Sequence, residues 1–234
     1  MSDIKRFAIV TGASRGIGKA ICDLFVEHGI TAIGVSRYIE LSDVTRRCDI
    51  RDEAAVKALF AELADTFGHI DILVNNAGIV THGDILETSL EEWENVMRTN
   101  LTGAFLCCKH VLKHMKERRY GKIVNISSIA GRFRSSMASV AYTCSKYGIV
   151  GLTRQLALHY ARHNININCI CPSQTRTSML AKNISQERID ALVSNIPAGR
   201  LAEPDDIAQV VYFLSTDAAS YINGAIIDIN GGQI

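Results

Sequence analysis

The sequence predicts an α/β fold: one doubly wound, mainly parallel sheet of seven strands with helices on both faces. Three observations predict it. Short apolar runs alternate with amphipathic helical stretches from one end of the chain to the other, the pattern left when crossover helices join parallel strands. At 234 residues, 47% hydrophobic and 21% charged, the chain suits a single domain with a sizeable core, and no internal repeat or low-complexity segment divides it. The first apolar run, Phe7-Ala8-Ile9-Val10, passes through the turn Thr11-Gly12-Ala13-Ser14-Arg15-Gly16-Ile17-Gly18 into a helical pattern of Ile17, Ala20, Ile21, Leu24 and Phe25.

That strand, glycine turn and helix also point to a ligand. Glycine permits backbone angles closed to other residues and removes the side chains that would hold a pyrophosphate away from the helix's free N–H groups. A dinucleotide is the natural guest. The spacing is G-x-x-x-G-x-G and not the commoner G-x-G-x-x-G, so on the turn alone a ligand-free loop stays as the alternative.

The remaining elements follow in order. Residues 31–35 read as strand two, ending at Ser36-Arg37. Only residues 38–47 then separate Arg37 from an apolar third run at 48–50, fewer than a crossover helix usually needs, so the helix between strands two and three is predicted to be missing or a single turn. Residues 52–67 place Ala55, Val56, Leu59, Phe60 and Leu63 at helical spacing and stop at Gly68. Strand four, 70–74, runs into Asn75-Asn76-Ala77-Gly78, and one long helix is predicted over 90–116. Strand five, 122–126, ends in Ser127-Ser128 and a polar loop, 131–139, ahead of a helix over 142–163. Strand six occupies 165–170 and breaks at Pro172. Residues 173–202 are polar, with a short helical pattern near 189–193, and suit a lid over a site. Pro204 fits a first helical position before 207–214, and strand seven, 225–229, closes at Gly231-Gly232.

Composition excludes several classes of partner. A formal net charge of +1 gives no global field to attract nucleic acid or an anionic membrane, and neither is expected. Seven cysteines, an odd number without a C-x-x-C pair, read as reduced thiols of a cytoplasmic protein; no zinc-type spacing accompanies them, and no metal is expected. The charged start, 1–6, and the brevity of the next apolar run predict neither a signal peptide nor a membrane span.

A second constellation carries chemistry. Tyr142 and Lys146 lie four apart on a predicted helix and so share a face. A free tyrosine, with a pKa near about 10, is too weak an acid for neutral pH; a neighbouring ammonium favours the phenolate and is expected to lower it. The pair is then a tunable acid or base, a solvated surface pair being the plain alternative.

In this order the glycine turn, Asn75-Asn76-Ala77-Gly78, Asn100, Ser128, Tyr142 and Lys146 resemble the short-chain dehydrogenase/reductase family, from Phe7 to the C-terminus. The resemblance implies a single Rossmann-type domain over 1–234 and an oxidoreductase that moves a hydride between a nicotinamide and a carbonyl or secondary alcohol. It assigns Tyr142 as proton donor to the substrate oxygen and Ser128 as hydrogen-bond donor to the same oxygen. Lys146 would lower the tyrosine pKa and hold the nicotinamide ribose, and Asn100 would keep a relay water. Ser127 is an adjacent competitor, but Ser128 aligns with the family's serine. The implied cofactor contacts begin with Gly12, Ser14, Arg15, Gly16, Ile17 and Gly18 at the pyrophosphate. Asp49 and Ile50 follow at the adenine, Asn76, Ala77 and Gly78 along the cofactor, and Tyr142 and Lys146 at the ribose. Pro172, Ser173, Thr175 and Thr177 would lie near the nicotinamide. The family usually has Pro-Gly where this chain has Pro172-Ser173.

Ser36-Arg37 sets the expected cofactor. A protein selecting NAD places Asp or Glu there to take both ribose hydroxyls, and that carboxylate repels a 2′-phosphate. Arg37 and Arg15 bring two positive charges toward one anion instead, so NADP(H) is expected. The short form of the fold resembles the 3-oxoacyl-carrier reductases most, which makes a 3-oxoacyl thioester the expected substrate and fatty acid biosynthesis the setting. A sugar, polyol or cyclic-alcohol dehydrogenase is the alternative. A non-catalytic NADP-sensing protein is a third reading, against which the intact Tyr142 and Lys146 argue. Carrier reductases present basic residues near the site entrance; Arg118 and Arg119 match one such place and His163, beside Arg162, stands at another, so docking of an acyl carrier protein is left open. Family members pair long helices like those near 101–116 and 142–163 into two-fold assemblies, and a homotetramer is expected.

Overall fold

In a computed structural model of the chain, residues 6–135, 137–181 and 185–234 are described; positions 1–5 of the charged start, 136 in the polar loop and 182–184 in the expected lid lie outside them. Among these, seven strands, β1 (Phe7–Thr11), β2 (Thr31–Ser36), β3 (Thr45–Arg47), β4 (Ile72–Asn75), β5 (Gly121–Ile126), β6 (Ile165–Pro172) and β7 (Ile226–Ile229), form one sheet. Every pairing is parallel, in the order β3-β2-β1-β4-β5-β6-β7. The direction of winding reverses between β1 and β4, the switch point where open sheets of this kind leave a crevice beyond the strands' carboxyl ends.

Both faces are covered, which is why the central strands read as unbroken apolar runs. On one face α1 (Gly16–Glu27) and α8 (Pro204–Leu214) pack Ile21, Phe25, Ile207 and Val211 over Ala8, Val10, Ile72 and Val74. On the other, α2 (Glu53–Phe67) and the helix over Gly103–Arg118 set Val56, Phe60, Leu63 and Val111 against Ile9, Leu73 and Ile123. Local chemistry fixes the ends: Asp52 caps α2 by accepting from the N–H groups of Ala54 and Ala55, and Gly68 closes it at φ 74°. Pro204 is the first residue of α8, as its fixed φ suits.

The connection after β2 has no helix, as its length predicts, but strand three lies earlier than the apolar run suggests. The polar residues Thr45, Arg46 and Arg47 pair with Gly34, Val35 and Ser36, while Cys48 and Ile50 are buried beyond the strand. An edge strand needs backbone partners and not burial on both sides, so its sequence is polar. The predicted long helix is continuous but carries a π-helical turn. It comprises α3 (Leu90–Met97), a π-helical turn (Arg98–Thr102) and α4 (Gly103–Arg118). Next, α5 (Val140–Tyr160) ends in a 3₁₀ turn, and β6 runs on through Pro172 because its last residues still pair with β7. The polar segment 173–202 contains two short helices, α6 (Ser178–Ala181) and α7 (Gln186–Ser194), of which the pattern near 189–193 foretold only the second.

Among the described residues no helix is long and apolar enough to cross a membrane, and no three His, Cys, Asp or Glu side chains cluster as a metal site would require.

Candidate active site

A cavity of about 460 Å³ opens at the carboxyl ends of β1, β4, β5 and β6. Its floor is the glycine turn. Gly12 and Gly16 adopt φ of +69° and +57°, and a Cβ on Gly12 would come within 2.8 Å of Ala77 Cα and of Asn76 Nδ2. No larger residue fits there. Thr11 fastens the turn to β4: its Oγ1 accepts from the N–H groups of Asn76 and Ala77, at 3.0 and 3.1 Å. The Asn76 amide donates back to the carbonyls of Thr11 and Gly12, at 2.9 and 3.2 Å. Whereas Asp52, Ser89 and Ser139 cap α2, α3 and α5 with side chains, Arg15 at the start of α1 makes no such bond. The helix's N-terminal dipole end therefore faces the cavity without a competing side chain, a fit for a pyrophosphate.

At one end of the cavity stand Ser14, Arg15, Ser36, Arg37, Tyr38, Asp49 and Ile50. Asp49 is held by Arg51, whose Nε and Nη2 donate to the carboxylate at 3.0 and 2.7 Å, and this pairing holds its pKa below the usual carboxylate range. Arg37 stands only at the edge of that pair, 4.0 Å from Asp49, with its guanidinium 5.4 Å from the centre of the Tyr38 ring. Arg46 and Arg47 are spent elsewhere, on Glu62 and on the Ile39 carbonyl.

At the other end α5, capped by Ser139, presents Tyr142 and Lys146. The Ser128 hydroxyl is a hydrogen-bond partner of the Tyr142 phenol, whose pKa is nonetheless raised, burial outweighing that bond. The expected lowering by Lys146 is absent. Its ammonium lies 5.6 Å from the centre of the Tyr142 ring and donates to the Ile126 carbonyl at 2.9 Å. Burial pushes its own pKa down to about 8. The hydroxyl of the competing serine, Ser127, is already engaged, donating to the Lys146 carbonyl at 2.8 Å. Asn100 sits in the π-helical turn, where Oδ1 accepts from Ile79 N–H at 2.8 Å and Nδ2 donates to the Ile79 carbonyl and Ser145 Oγ, at 2.9 and 3.0 Å. A Cβ on Gly78 would stand 3.3 Å from Asn100 Oδ1 and 3.6 Å from Lys146 Nζ, so the glycine leaves room between them.

Gly12, Ser14, Arg15, Gly16, Ile17, Arg37, Asp49, Ile50, Asn76, Ala77, Gly78, Ser128, Tyr142, Lys146, Pro172, Ser173, Thr175 and Thr177 all line this cavity. Gly18 and Asn100 lie behind the wall, where a Cβ on Gly18 would reach 2.5 Å from Asn76 Nδ2. The basic residues Arg118, Arg119 and His163 are not at its entrance. Arg118 pairs with Asp71 and Arg119 with the Arg162 carbonyl, beside the amino ends of β4, β5 and β6, across the sheet from the cavity. Tyr38, His82, Met137 and Gln174, in loops, and Ser178, at the start of the short α6, also line it and were not foreseen, since they belong to segments that carry no motif.

Comparison with known proteins places this geometry. The family model described as enoyl-(acyl carrier protein) reductase matches residues 12–233. The 3-oxoacyl-acyl-carrier-protein reductase FabG of Vibrio harveyi is 35% identical over 238 residues, covering 97% of each chain. Among solved structures, ligand-free aldohexose dehydrogenase of Thermoplasma acidophilum superposes with a TM-score of 0.91 at 33% identity, over 98% of this chain and 94% of that one. ElxO with NADP bound gives 0.91 at 31% identity, over 98% and 99%. Fold, cavity and likeness over nearly the whole chain agree: this protein belongs to the short-chain dehydrogenase/reductase family of oxidoreductases.

Proposed function

We propose that the protein uses NADP(H) to reduce the keto group of a 3-oxoacyl thioester. The observation that carries the reading is the Tyr142 phenol, hydrogen-bonded by Ser128, in the same cavity as the open glycine cradle and the buried Lys146. Bound NADPH would supply the hydride; the chain supplies everything around it. Gly12, Gly16 and the first N–H groups of α1 seat the pyrophosphate, and Arg37 and Arg15 take the 2′-phosphate. Tyr142 hands its proton to the substrate oxygen while Ser128 stabilises the charge gathering there. Lys146 releases the Ile126 carbonyl to hold the ribose hydroxyls, which brings its charge toward the phenol and restores the acidity that burial removes. Both Asn100 donors are spent, so a relay water sits in the space that Gly78 leaves, between Asn100 Oδ1 and the ammonium.

Support for the substrate comes from the carrier reductases that the chain resembles over 97% of its length. Likeness to aldohexose dehydrogenase supports a second reading, oxidation of a sugar, polyol or cyclic alcohol. Docking of an acyl carrier protein that bears the thioester, a role in fatty acid biosynthesis, a cytoplasmic setting and a homotetramer belong to the proposal. Following NADPH consumption with acetoacetyl-coenzyme A, aldohexoses and cyclic ketones decides between the readings. The thioester is expected to give the highest kcat/KM, and turnover confined to the sugars or cyclic substrates would overturn the assignment.

A further inference from the structure

The lid carries two polar groups that the scheme above does not use. Gln174 Oε1 and Ser178 Oγ are buried and have no hydrogen-bond partner, yet both residues line the cavity that holds Tyr142 and Ser128. Such groups are ordinarily paired, so a matched ligand is the natural reason for leaving two of them unpaired on residues of one wall.

The backbone around Gln174 is fixed. Ser173 N–H donates to the Ile229 carbonyl at 2.9 Å, the Gln174 carbonyl accepts from Ala202 at 3.1 Å, and Arg176 N–H returns to the Ala202 carbonyl at 2.8 Å. Thr175 bridges Ala202, and Arg176 pairs with Glu203. The amide is thus carried on a clamped turn at the carboxyl end of β6. Ser127 N–H bonds the Ile170 carbonyl, so the same end of the sheet carries Ser128. Both groups can donate: an amide turns its NH₂ toward an acceptor, and a hydroxyl rotates to suit.

We propose that Gln174 and Ser178 are specificity-determining residues that donate to a second carbonyl oxygen, that of the thioester two carbons from the keto group being reduced. This rests on the 3-oxoacyl reading. A 1,3-dicarbonyl compound offers two acceptor oxygens at a fixed spacing, one for Tyr142 and Ser128 and one for the lid. An isolated ketone leaves the lid pair unsatisfied, and a site built to make hydrogen bonds discriminates against a compound that cannot complete them.

The test compares acetoacetyl-coenzyme A with cyclohexanone in the wild type, Gln174→Met and Ser178→Ala. The ratio of kcat/KM for the thioester over the ketone is expected to fall about tenfold or more in Gln174→Met, the worth of one or two hydrogen bonds, and less in Ser178→Ala. The dissociation constant of NADPH, read by fluorescence, stays within about twofold. An unchanged ratio in both variants overturns the inference. So does a fall that only tracks weaker NADPH binding, which would make the pair a nicotinamide contact. If Gln174→Met does not fold, Ser178→Ala carries the test alone. A wild type that reduces no 3-oxoacyl thioester overturns the proposed function itself, which is a different result from a wild type that does and a variant that is indifferent.

Discussion

Tyr142 is a weak acid made weaker by burial, and only the Ser128 bond works against that in the ligand-free protein. Replacing it with Phe keeps the ring's packing and removes the proton, so kcat is expected to fall about a hundredfold or more with NADPH affinity nearly unchanged. Retention of most activity would assign the proton to another group. Lys146 offers a test through pH. Its folded pKa, about 8, lies below its ordinary 10.5, so between those values the unfolded chain still holds a proton that the native state has released. Stability referable to this group therefore rises with pH across that window, and the cost of burying the charge is full below it. Comparing Lys146→Met with the wild type by urea unfolding cancels the contribution of the thiols. The variant's relative advantage is expected to shrink from about pH 7 to about pH 10, and a constant difference would place the titration elsewhere. Cofactor choice is proposed to rest on Arg37, whose guanidinium is held by Asp49 only at 4.0 Å. A charge-assisted bond contributes roughly 1.5 to 3 kcal/mol, so kcat/KM for NADPH over NADH should exceed about tenfold and fall in Arg37→Ala. A high ratio unmoved by the substitution would pass the role to Arg15, since Arg46 and Arg47 are already bonded.

Among the elements, the π-helical turn between α3 and α4 positions more than its length suggests. It turns Asn100 inward to hold the Ile79 backbone by both of its polar groups and ties α5 through Ser145. The other junction is the 3₁₀ turn after β5, where Gly131 meets α5. A Cβ there would lie 2.6 Å from the Lys146 carbonyl and 2.5 Å from Ser127 Oγ. Gly131→Ala is expected to cost roughly 1 to 3 kcal/mol and to lower kcat as well, because the atom it displaces belongs to the residue that carries the ammonium. Asp52→Ala is the contrasting change: loss of the α2 cap costs about 1 kcal/mol in chemical denaturation. If both variants lost stability without any difference in kcat, the junction would be a packing feature alone.

On the scale of the molecule, the reversal of winding between β1 and β4 brings residues from the glycine turn, β4, β5, α5 and the segment after β6 into one cavity. The outer sides of α4 and α5 expose Phe105, Tyr147 and Leu158, at 46%, 48% and 76%. Apolar residues left open on two long helices suit a two-fold contact between copies, and a homotetramer is expected in light scattering at micromolar concentration. A monomer under those conditions would refute it, and Leu158→Glu should weaken the assembly if α5 takes part.

The order of elements, and the residues that come to line one cavity, were legible in the sequence because each rests on local chemistry. Parallel strands buried on both faces must be apolar throughout, the glycines at 12 and 16 are required by positive φ, and Tyr142 and Lys146 share a helix face by spacing alone. Cofactor charge was legible for the same reason, since Arg37 follows a strand whose end is fixed by its pairing. Tertiary structure decided what depends on partners distant in sequence. Strand three was misplaced because an edge strand is specified by its neighbour's backbone, and Cys48 and Ile50 are apolar for a loop's burial. Whether Ser127 or Ser128 faces the substrate depends on which one the Lys146 carbonyl claims, 19 residues away. Whether Lys146 acidifies Tyr142 depends on the Ile126 carbonyl that occupies its ammonium. Gln174 and Ser178 reach the cavity wall on a segment whose turn after β6 is held by Ala202, Ile229 and Glu203, and such contacts leave no periodic trace in the chain.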